Sequence, residues 1–294
     1  MQQSEWVFAY ASAIGNGHIS GNLPCQDYCD VRHYDSFSIG IVSDGAGSCS
    51  NSHLGAQKVC EYAMHYFSDA LKQKEWIINN TLPCQEEWHT LARQTLLQVR
   101  NDLAQFAYNS EVELKSLSCT IIVVIILKKG LLVTHIGDGR AGYCNQQNEW
   151  FPMITPFHGE EANETVFITS DIWYSSIIDR YIESNIIDEE IKAFSLLSDG
   201  CEKASFECNL YDEEKSVFYD PNRPFKHFYD KNVNVHLPLL KKAGKNQDEI
   251  NILWKKFLTD GNVKLQIEPD DKTMILGVYV TPVEELYNAT TGTT

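Results

Sequence analysis

The chain has 294 residues, of which 43% are hydrophobic, 22% charged and 11% aromatic, which excludes a disordered chain and supports one large folded domain or two small ones. Its 24 Lys and Arg against 40 Asp and Glu give a formal net charge of −16. This charge argues against broad binding to nucleic acid or to an anionic membrane, because those partners select a basic surface. The acids either form a solvated surface or include a cluster that binds metal.

The N-terminal segment and the cysteines predict a cytoplasmic protein without a membrane partner. Residues 1–13 lack the basic and apolar regions of a signal peptide. The longest apolar run, 121–127, is far shorter than the roughly 20 residues that cross a bilayer. The nine cysteines are odd in number and include no CxxC pair, which is typical of reduced thiols in the cytoplasm.

Apolar periodicity predicts two long helices and several buried strands. Apolar residues fall at helical spacing over about 51–71 and 85–108, so each helix has one face to bury. Strands are predicted, in chain order, over 37–41, 120–127, 131–136, 193–197 and 274–280. Because the strands come in hairpin-like groups with the helices between them, an α+β layered sandwich is favoured over a parallel βαβ sheet.

The remaining segments predict the domain organisation. Residues 201–268 are polar and aromatic and are interrupted by prolines, which indicates an insertion of short helices with one amphipathic helix around 250–258. Residues 288–294 have no apolar periodicity and are expected to form a flexible tail. We therefore expect a single domain over 1–287 that contains this insertion.

Four predicted strand ends carry an aspartate beside a glycine or a second aspartate. The pairs are Asp44-Gly45, Gly137-Asp138, Asp199-Gly200 and Asp270-Asp271. Carboxylates that converge on one edge of a sheet would form an oxygen-rich site, which suits Mg²⁺ or Mn²⁺ better than Zn²⁺. A single Asp-Gly pair is more often only a turn, but four pairs at the ends of apolar strands favour a metal site.

These pairs and their neighbours resemble motifs of the metal-dependent Ser/Thr protein phosphatases of the protein phosphatase 2C type, in their bacterial form. Five such blocks follow the order of that family over about residues 10–280. The matching segments are Asn22-Leu23-Pro24-Cys25-Gln26-Asp27, Val42-Ser43-Asp44-Gly45-Ala46-Gly47, Ser118-Cys119-Thr120 with Gly137-Asp138-Gly139-Arg140-Ala141, Leu196-Leu197-Ser198-Asp199-Gly200, and Asp270-Asp271-Lys272-Thr273.

The resemblance implies a fold, a reaction and partners. The fold is a four-layer α-β-β-α sandwich with two central, mostly antiparallel sheets flanked by helices. The reaction is hydrolysis of phosphoserine and phosphothreonine in proteins by a metal-activated water, with two Mg²⁺ or Mn²⁺ ions and, in bacterial-type members, a third. The partners are a phosphoprotein substrate and a cognate Ser/Thr kinase. The section 201–268 would contain a flap that sets substrate choice.

The resemblance also assigns residues to the ions. Asp44 is similar to the aspartate that bridges two ions, and the carbonyl of Gly45 is similar to a ligand of one of them. Asp199 and Asp271 would hold the other ion. Asp138 resembles the ligand of the third, weaker ion.

Four further positions either match the motifs of the family near the ions or differ from them. Asp27 lies where the family has an acidic pair near the metals, with Gln26 in place of a glutamate, and would act beside the ions or through a water. His18 is the polar residue nearest to the position of a phosphate-binding arginine. It would contact phosphate or act as an acid, unless it is an ordinary loop histidine. Ala46 stands where many eukaryotic members have a proton-donating histidine.

Two functions stay open from the sequence. The first is an active phosphatase, because Asp44, Asp199 and Asp271 would contribute about −3 and two divalent ions about +4, and the filled site would attract a phosphate dianion. The second is a phosphatase-like module with little or no turnover that binds a phosphoprotein or a kinase. The three aspartates favour the first function, whereas the missing arginine and histidine keep the second one open.

Overall fold

The computed structural model describes residues 5–157, 165–175 and 177–280, so the tail expected at 288–294 lies outside the described residues. The strands are β1 (Glu5–Ala13), β2 (Tyr28–His33), β3 (Ser38–Ser43), β4 (Ile121–Leu127), β5 (Gly130–Ile136), β6 (Arg140–Asn145), β7 (Trp150–Pro152), β8 (Glu183–Ile187), β9 (Ile191–Leu197), β10 (Phe206–Glu207), β11 (Leu210–Asp212), β12 (Val217–Tyr219), β13 (Arg223–Pro224) and β14 (Lys272–Val280).

The α-helices are α1 (Asn16–Gly21), α2 (Ser52–Lys72), α3 (Glu75–Ile78), α4 (Gln85–Asn109), α5 (Glu202–Ser205), α6 (Lys226–Lys231), α7 (Leu237–Lys242), α8 (Gln247–Asp260) and α9 (Val263–Ile267). Short 3-10 helices lie at Leu114–Leu117, Asp171–Tyr174, Ile178–Arg180 and Asp199–Cys201. A π-helical turn, Asn232–His236, joins α6 to α7.

Two antiparallel sheets form the centre of the molecule. The first sheet has the strand order β1-β14-β9-β6-β7 and the second has the order β2-β3-β4-β5-β8. Neighbouring strands within each sheet are antiparallel. The two sheets stack face to face over a layer of buried apolar side chains that includes Phe8, Ile122, Phe194 and Ile275.

Helices cover the outer faces of both sheets. Val59, Phe67 and Trp88 of α2 and α4 are buried in one core with the strands of the second sheet. Tyr229 of α6 and Trp254 of α8 are buried in another core with the strands of the first sheet. The molecule is therefore a four-layer α-β-β-α sandwich, and the predicted fold class is confirmed. Among the described residues, no helix combines the length and apolar character that a bilayer crossing requires.

The long helices and buried strands lie where apolar periodicity predicts them. The helix predicted over 51–71 is α2, and the helix predicted over 85–108 is α4. A turn at 128–129 joins β4 to β5. The predicted and observed positions agree most closely where an element buries one continuous apolar face. The burial of that face decides which secondary structure forms there.

The section 201–268 divides into two parts with different roles. Residues 206–225, which we name the flap, form short strand pairs, β10 with β13 and β11 with β12. Residues 226–267 instead supply the helical layer over the first sheet, where Trp254 donates a hydrogen bond from Nε1 to the backbone of β14. The irregular part is therefore narrower than the predicted insertion, because the outer face of the first sheet has to be covered by these helices.

We expect the substitution Trp88→Phe to lower the free energy of unfolding by about 2 kcal/mol. Trp88 is fully buried on α4, and its Nε1 donates to the carbonyl of Val133 on β5 at 3.0 Å. Phenylalanine keeps an aromatic ring but loses this donor and leaves a small void. Urea unfolding measures the effect, with Trp6→Phe at a partly exposed position as the control. Equal losses in both variants would contradict this account of Trp88.

Candidate functional site

The aspartates at the strand ends lie together at one edge of the sandwich. Asp44 follows β3 and Asp199 follows β9. The pair Asp270-Asp271 precedes β14, and Asp138 lies in the turn from β5 to β6. In an antiparallel sheet the end of one strand lies beside the start of its neighbour, so these positions meet although they are far apart in the sequence.

Asp44 lies where the negative charges of both sheets act together. Its carboxyl pKa is raised well above the ordinary value, first by burial. The charges of Asp27, Asp199, Asp138 and Asp270 raise it further, in that order of importance. The site therefore disfavours an ionised Asp44 unless positive charge is supplied close by.

The backbone at Asp44 and Gly45 is fixed by the residues just before β4 and by the segment before β2. The N–H of Thr120 donates to the carbonyl of Asp44 at 2.8 Å, and Gly45 forms a bridge with Cys119. A Cβ atom on residue 45 would lie 2.5 Å from the carbonyl oxygen of Gln26. Only glycine permits this approach, so the carbonyl of residue 45 is held in place beside Asp44.

Asp199 is the second carboxylate with a strongly altered pKa. Burial raises its pKa to about 8, followed by the charges of Asp138 and Asp270. Its Oδ1 atom is buried and has no hydrogen-bond partner in the described part of the chain. The next residue, Gly200, passes so close to Asp271 that a Cβ atom would lie 2.0 Å from the carbonyl of that residue. Asp199 thus presents an unpartnered oxygen from a tightly packed turn.

The two aspartates before β14 have different surroundings. The side chain of Asp271 is 1% exposed and accepts from the N–H groups of Gly15 at 2.7 Å and Gln26 at 2.5 Å. It also contacts His18 Nδ1 at 2.8 Å. The side chain of Asp270 is 50% exposed, and burial is the first cause of its raised pKa. Asp271, which the sequence predicts as a metal ligand, is therefore committed to protein donors, whereas Asp270 faces the solvent.

Asp27 links the two sheets beneath the acidic edge. It lies just before β2 and accepts a hydrogen bond from Ser198 Oγ, at the end of β9, over 2.7 Å. Burial raises the pKa of Asp27 to about 7, and the charge of Asp271 adds to this effect. The hydrogen bond from Ser198 acts in the opposite direction. Sequence patterns gave no signal for Ser198 beyond its place in the Ser-Asp-Gly block.

An opening of about 440 Å³ lies over these carboxylates. It is lined by Gly17, His18, Gly47, Asp199, Gly200, Glu202, Lys203, Glu268, Pro269 and Asp270. His18 Nε2 lies 4.0 Å from Asp270 Oδ1, while its other nitrogen contacts Asp271. The histidine predicted from the sequence thus faces the opening, and its ring is oriented by a buried carboxylate.

The residues at this edge have the chemistry of a hard-cation site. The carboxylate and carbonyl oxygens suit Mg²⁺ or Mn²⁺, and Gln26 Oε1, like Asp199 Oδ1, is buried without a hydrogen-bond partner in the described chain. In that same part of the chain, no three His, Cys, Asp or Glu side chains converge closely enough to hold an ion.

Arg140 anchors the flap to the acidic edge and was not singled out from the sequence. Its side chain is 1% exposed. Its guanidinium donates to Glu202 at 2.9 Å, to Asp220 at 2.6 Å and to Asn222 at 2.8 Å, and it lies 5.6 Å from the ring centre of Phe206. The sequence could have pointed to Arg140, because it is a charged residue at the start of a mainly apolar segment. A charged residue in such a segment is buried only when other groups pair with it.

Known proteins resemble this chain over most of its length. A family model described as Protein phosphatase 2C matches residues 14–236. The Serine/threonine-protein phosphatase 3 of Escherichia coli is 29% identical over 284 residues, which cover 93% of this chain and 98% of that protein. The Serine/threonine phosphatase stp of Listeria monocytogenes is 29% identical over 124 residues, which cover 42% of this chain and 44% of that protein.

Solved structures share the fold at low sequence identity. The serine/threonine phosphatase of S. agalactiae superposes with a TM-score of 0.57 at 13% identity, covering 94% of this chain and 100% of that chain. A C. elegans sex determining protein superposes with a TM-score of 0.62 at 11% identity, covering 98% of this chain and 67% of that chain. Both likenesses concern the fold alone.

Without divalent metal, the folded chain is expected to lose stability as the pH rises from about 4 to about 8. The pKa values of Asp27 and Asp199 are about 7 and about 8 in the folded state, against about 3.9 for an unfolded aspartate. Between these values the folded state binds more protons than the unfolded state, so the free energy of unfolding falls with each pH unit.

Melting temperatures in EDTA from pH 5 to pH 8 measure this dependence. Asp199→Asn removes one of the titrating groups and should flatten the slope relative to the unsubstituted chain. Asp188→Asn, which makes the same charge change at an exposed position, should leave the slope unchanged. The same slope in all three proteins would contradict the assigned pKa shift of Asp199.

Proposed function

The chain belongs to the protein phosphatase 2C family, and we propose that it hydrolyses phosphoserine and phosphothreonine esters in proteins. We place the reaction at the edge of the sandwich that carries Asp44, Asp199 and Asp270. Dephosphorylation of proteins is the reaction of the family. The observation that supports this location is the coupling of Asp44 to charges from both sheets. The Escherichia coli and Listeria relatives, which are named as Ser/Thr phosphatases, support the type of substrate.

We assign two Mg²⁺ or Mn²⁺ ions to the carboxylates of Asp44, Asp199 and Asp270 and to the carbonyl of Gly45. Asp270 takes the place that the sequence gave to Asp271, because protein donors already occupy both oxygens of Asp271. Three carboxylates contribute about −3 and two ions about +4, so the filled site is slightly positive. When bound, such ions lower the pKa of a water molecule and neutralise charge on the phosphoryl oxygens.

Asp138 and Asp27 complete the acidic edge in different ways. Asp138 accepts a hydrogen bond from Thr165 and is the charge that most raises the pKa of Asp199, so we assign it to a third, weaker ion. Asp27 is buried and bound by Ser198. It adds negative charge beside the ions without facing the opening.

We assign His18 as the acid that protonates the leaving oxygen of the substrate. Asp271 already accepts two backbone N–H donors and therefore acts as a carboxylate acceptor. Its contact with Nδ1 fixes the ring, so that Nε2 lies at the opening beside Asp270. A carboxylate on Nδ1 orients the imidazole and leaves Nε2 as the nitrogen that faces the substrate. Ala46 offers no proton donor at the position after Asp44-Gly45.

The substrate is a phosphoprotein, and we propose that a cognate Ser/Thr kinase of the same pathway phosphorylates it. We also propose a cytoplasmic location, where the nine cysteines would stay reduced as free thiols.

The isosteric pair Asp270→Asn and Asp271→Asn tests which aspartate holds metal. Asp270→Asn should weaken Mn²⁺ binding, measured by calorimetry, by about 10-fold or more, because it removes a direct charged ligand. Asp271→Asn should weaken Mn²⁺ binding less than Asp270→Asn does, since the oxygens of Asp271 are bound by the protein and no direct ligand is lost. The opposite order would restore the assignment made from the sequence.

Hydrolysis of p-nitrophenyl phosphate measures whether the bound metal supports catalysis. EDTA should abolish turnover and added Mn²⁺ should restore it, and Asp44→Asn should remove turnover under both conditions. Metal binding without any turnover in the unsubstituted chain would favour the alternative of a phosphatase-like binding module.

His18→Ala should lower kcat on a phosphoserine peptide by about 100-fold, the usual contribution of general acid catalysis. The loss on p-nitrophenyl phosphate should be much smaller, because nitrophenolate leaves without a proton. Asp271→Asn should show the same dependence on the leaving group. Equal losses of His18→Ala on the two substrates would indicate that His18 contacts the phosphate and does not act as an acid.

A further inference from the structure

A second cavity of about 520 Å³ adjoins the catalytic opening. Lys203, Glu268 and Pro269 line both spaces, so the cavity continues the opening along the surface. One of its walls is the flap, from Phe206 to Leu210 together with Phe225, and the other wall is the end of α9. We name this space the flap groove.

The flap groove has an apolar interior with exposed apolar side chains. Phe206 is buried in its wall, whereas Phe225 is 37% exposed and Ile267 is 69% exposed. Exposed aromatic and branched side chains around a concave space are typical of sites that bind an apolar group. Such a surface next to the catalytic opening suits an apolar group of a ligand that also occupies the opening.

Two lysines form the rim of the flap groove. Lys203 Nζ pairs with Glu268 at 3.1 Å, and Lys264 Nζ donates to the carbonyl of Lys203 at 2.7 Å. Their aliphatic stems extend the apolar wall while their ammonium groups stay in solvent. Glu268 balances the charge of Lys203, so the rim is polar but adds little net charge to the groove.

The flap wall of the groove is preformed. The buried guanidinium of Arg140 lies against the ring of Phe206 and binds Asp220 in the same flap. A ligand therefore does not have to order this wall when it binds, which lowers the entropic cost of binding.

We propose that the flap groove binds a bulky apolar side chain, such as leucine or phenylalanine, adjacent to the phosphorylated residue of the substrate protein. This inference rests on the proposed function, because the phosphorylated residue has to occupy the adjoining opening. An extended peptide advances about 3.3–3.6 Å per residue, so a residue within a few positions of the phosphoserine reaches the groove. Ile267 and Phe225 then select substrates by their flanking sequence.

Two phosphoserine peptides, one with leucine at the flanking positions and one with serine there, test this proposal. The unsubstituted enzyme should prefer the leucine peptide. Ile267→Ser should lower kcat/KM for the leucine peptide by about 10-fold, mainly through KM, and should remove most of the preference. Hydrolysis of p-nitrophenyl phosphate should not change, since this small substrate does not reach the groove.

Ile252→Ser is the matched control, because Ile252 on α8 is also 69% exposed but does not line the groove. It should keep the peptide preference. Retention of the preference in Ile267→Ser, or an equal loss in both variants, would overturn the proposal, as would an unsubstituted enzyme without a preference. If the unsubstituted enzyme cleaves p-nitrophenyl phosphate but neither peptide, the proposed substrate class fails and the groove proposal fails with it.

Discussion

Repulsion between buried carboxylates at one edge of the sandwich is the constraint on which the site depends. Two stacked antiparallel sheets bring strand ends from distant parts of the sequence to that edge, and burial then raises the pKa of Asp27, Asp44 and Asp199. Hydrophobic stacking of the sheets stabilises the molecule, but it removes water from these acids. The same fold that supplies the aspartates therefore creates the need for a cation, and this links the architecture to phosphoryl chemistry.

The negative charges of the aspartates at this edge are stabilised in different ways. Asp271 is stabilised by backbone N–H groups and by His18, so the protein itself satisfies that charge. Asp270 is half exposed and Asp199 has an unpartnered oxygen. A carboxylate whose two oxygens both accept protein donors is suited to orient a histidine. Asp270 accepts one N–H, from Asp271 on Oδ1 at 2.8 Å, and a carboxylate that is only partly satisfied in this way is suited to hold an ion. Neighbouring residues of one motif can thus take different roles.

The parts of the fold that the sequence predicted are those with a single dominant pattern. α2 and α4 each bury one apolar face, and β4 is apolar throughout. β6 was not predicted, because its buried residues include Arg140. The acids that bind Arg140 lie on α5 and the flap, far from β6 in the sequence. The division of 201–268 into a flap and a covering helical layer was also missed, since both parts are polar and short in the sequence and differ only in what they contact.

The sequence by itself determined the acidic character of the chain, the presence of aspartates at apolar strand ends and the resemblance to a phosphatase family. It assigned Asp271 to an ion through that resemblance, although Asp270 belongs to the same motif. Adjacent residues entering a strand point in opposite directions, so the two carboxylates have different contacts. Only the tertiary structure distinguishes the contacts of the two carboxylates, and these contacts support the proposal that Asp270 holds an ion. Gly15 and Gln26, which lie about 250 positions earlier in the chain, bind one carboxylate and leave the other at the opening.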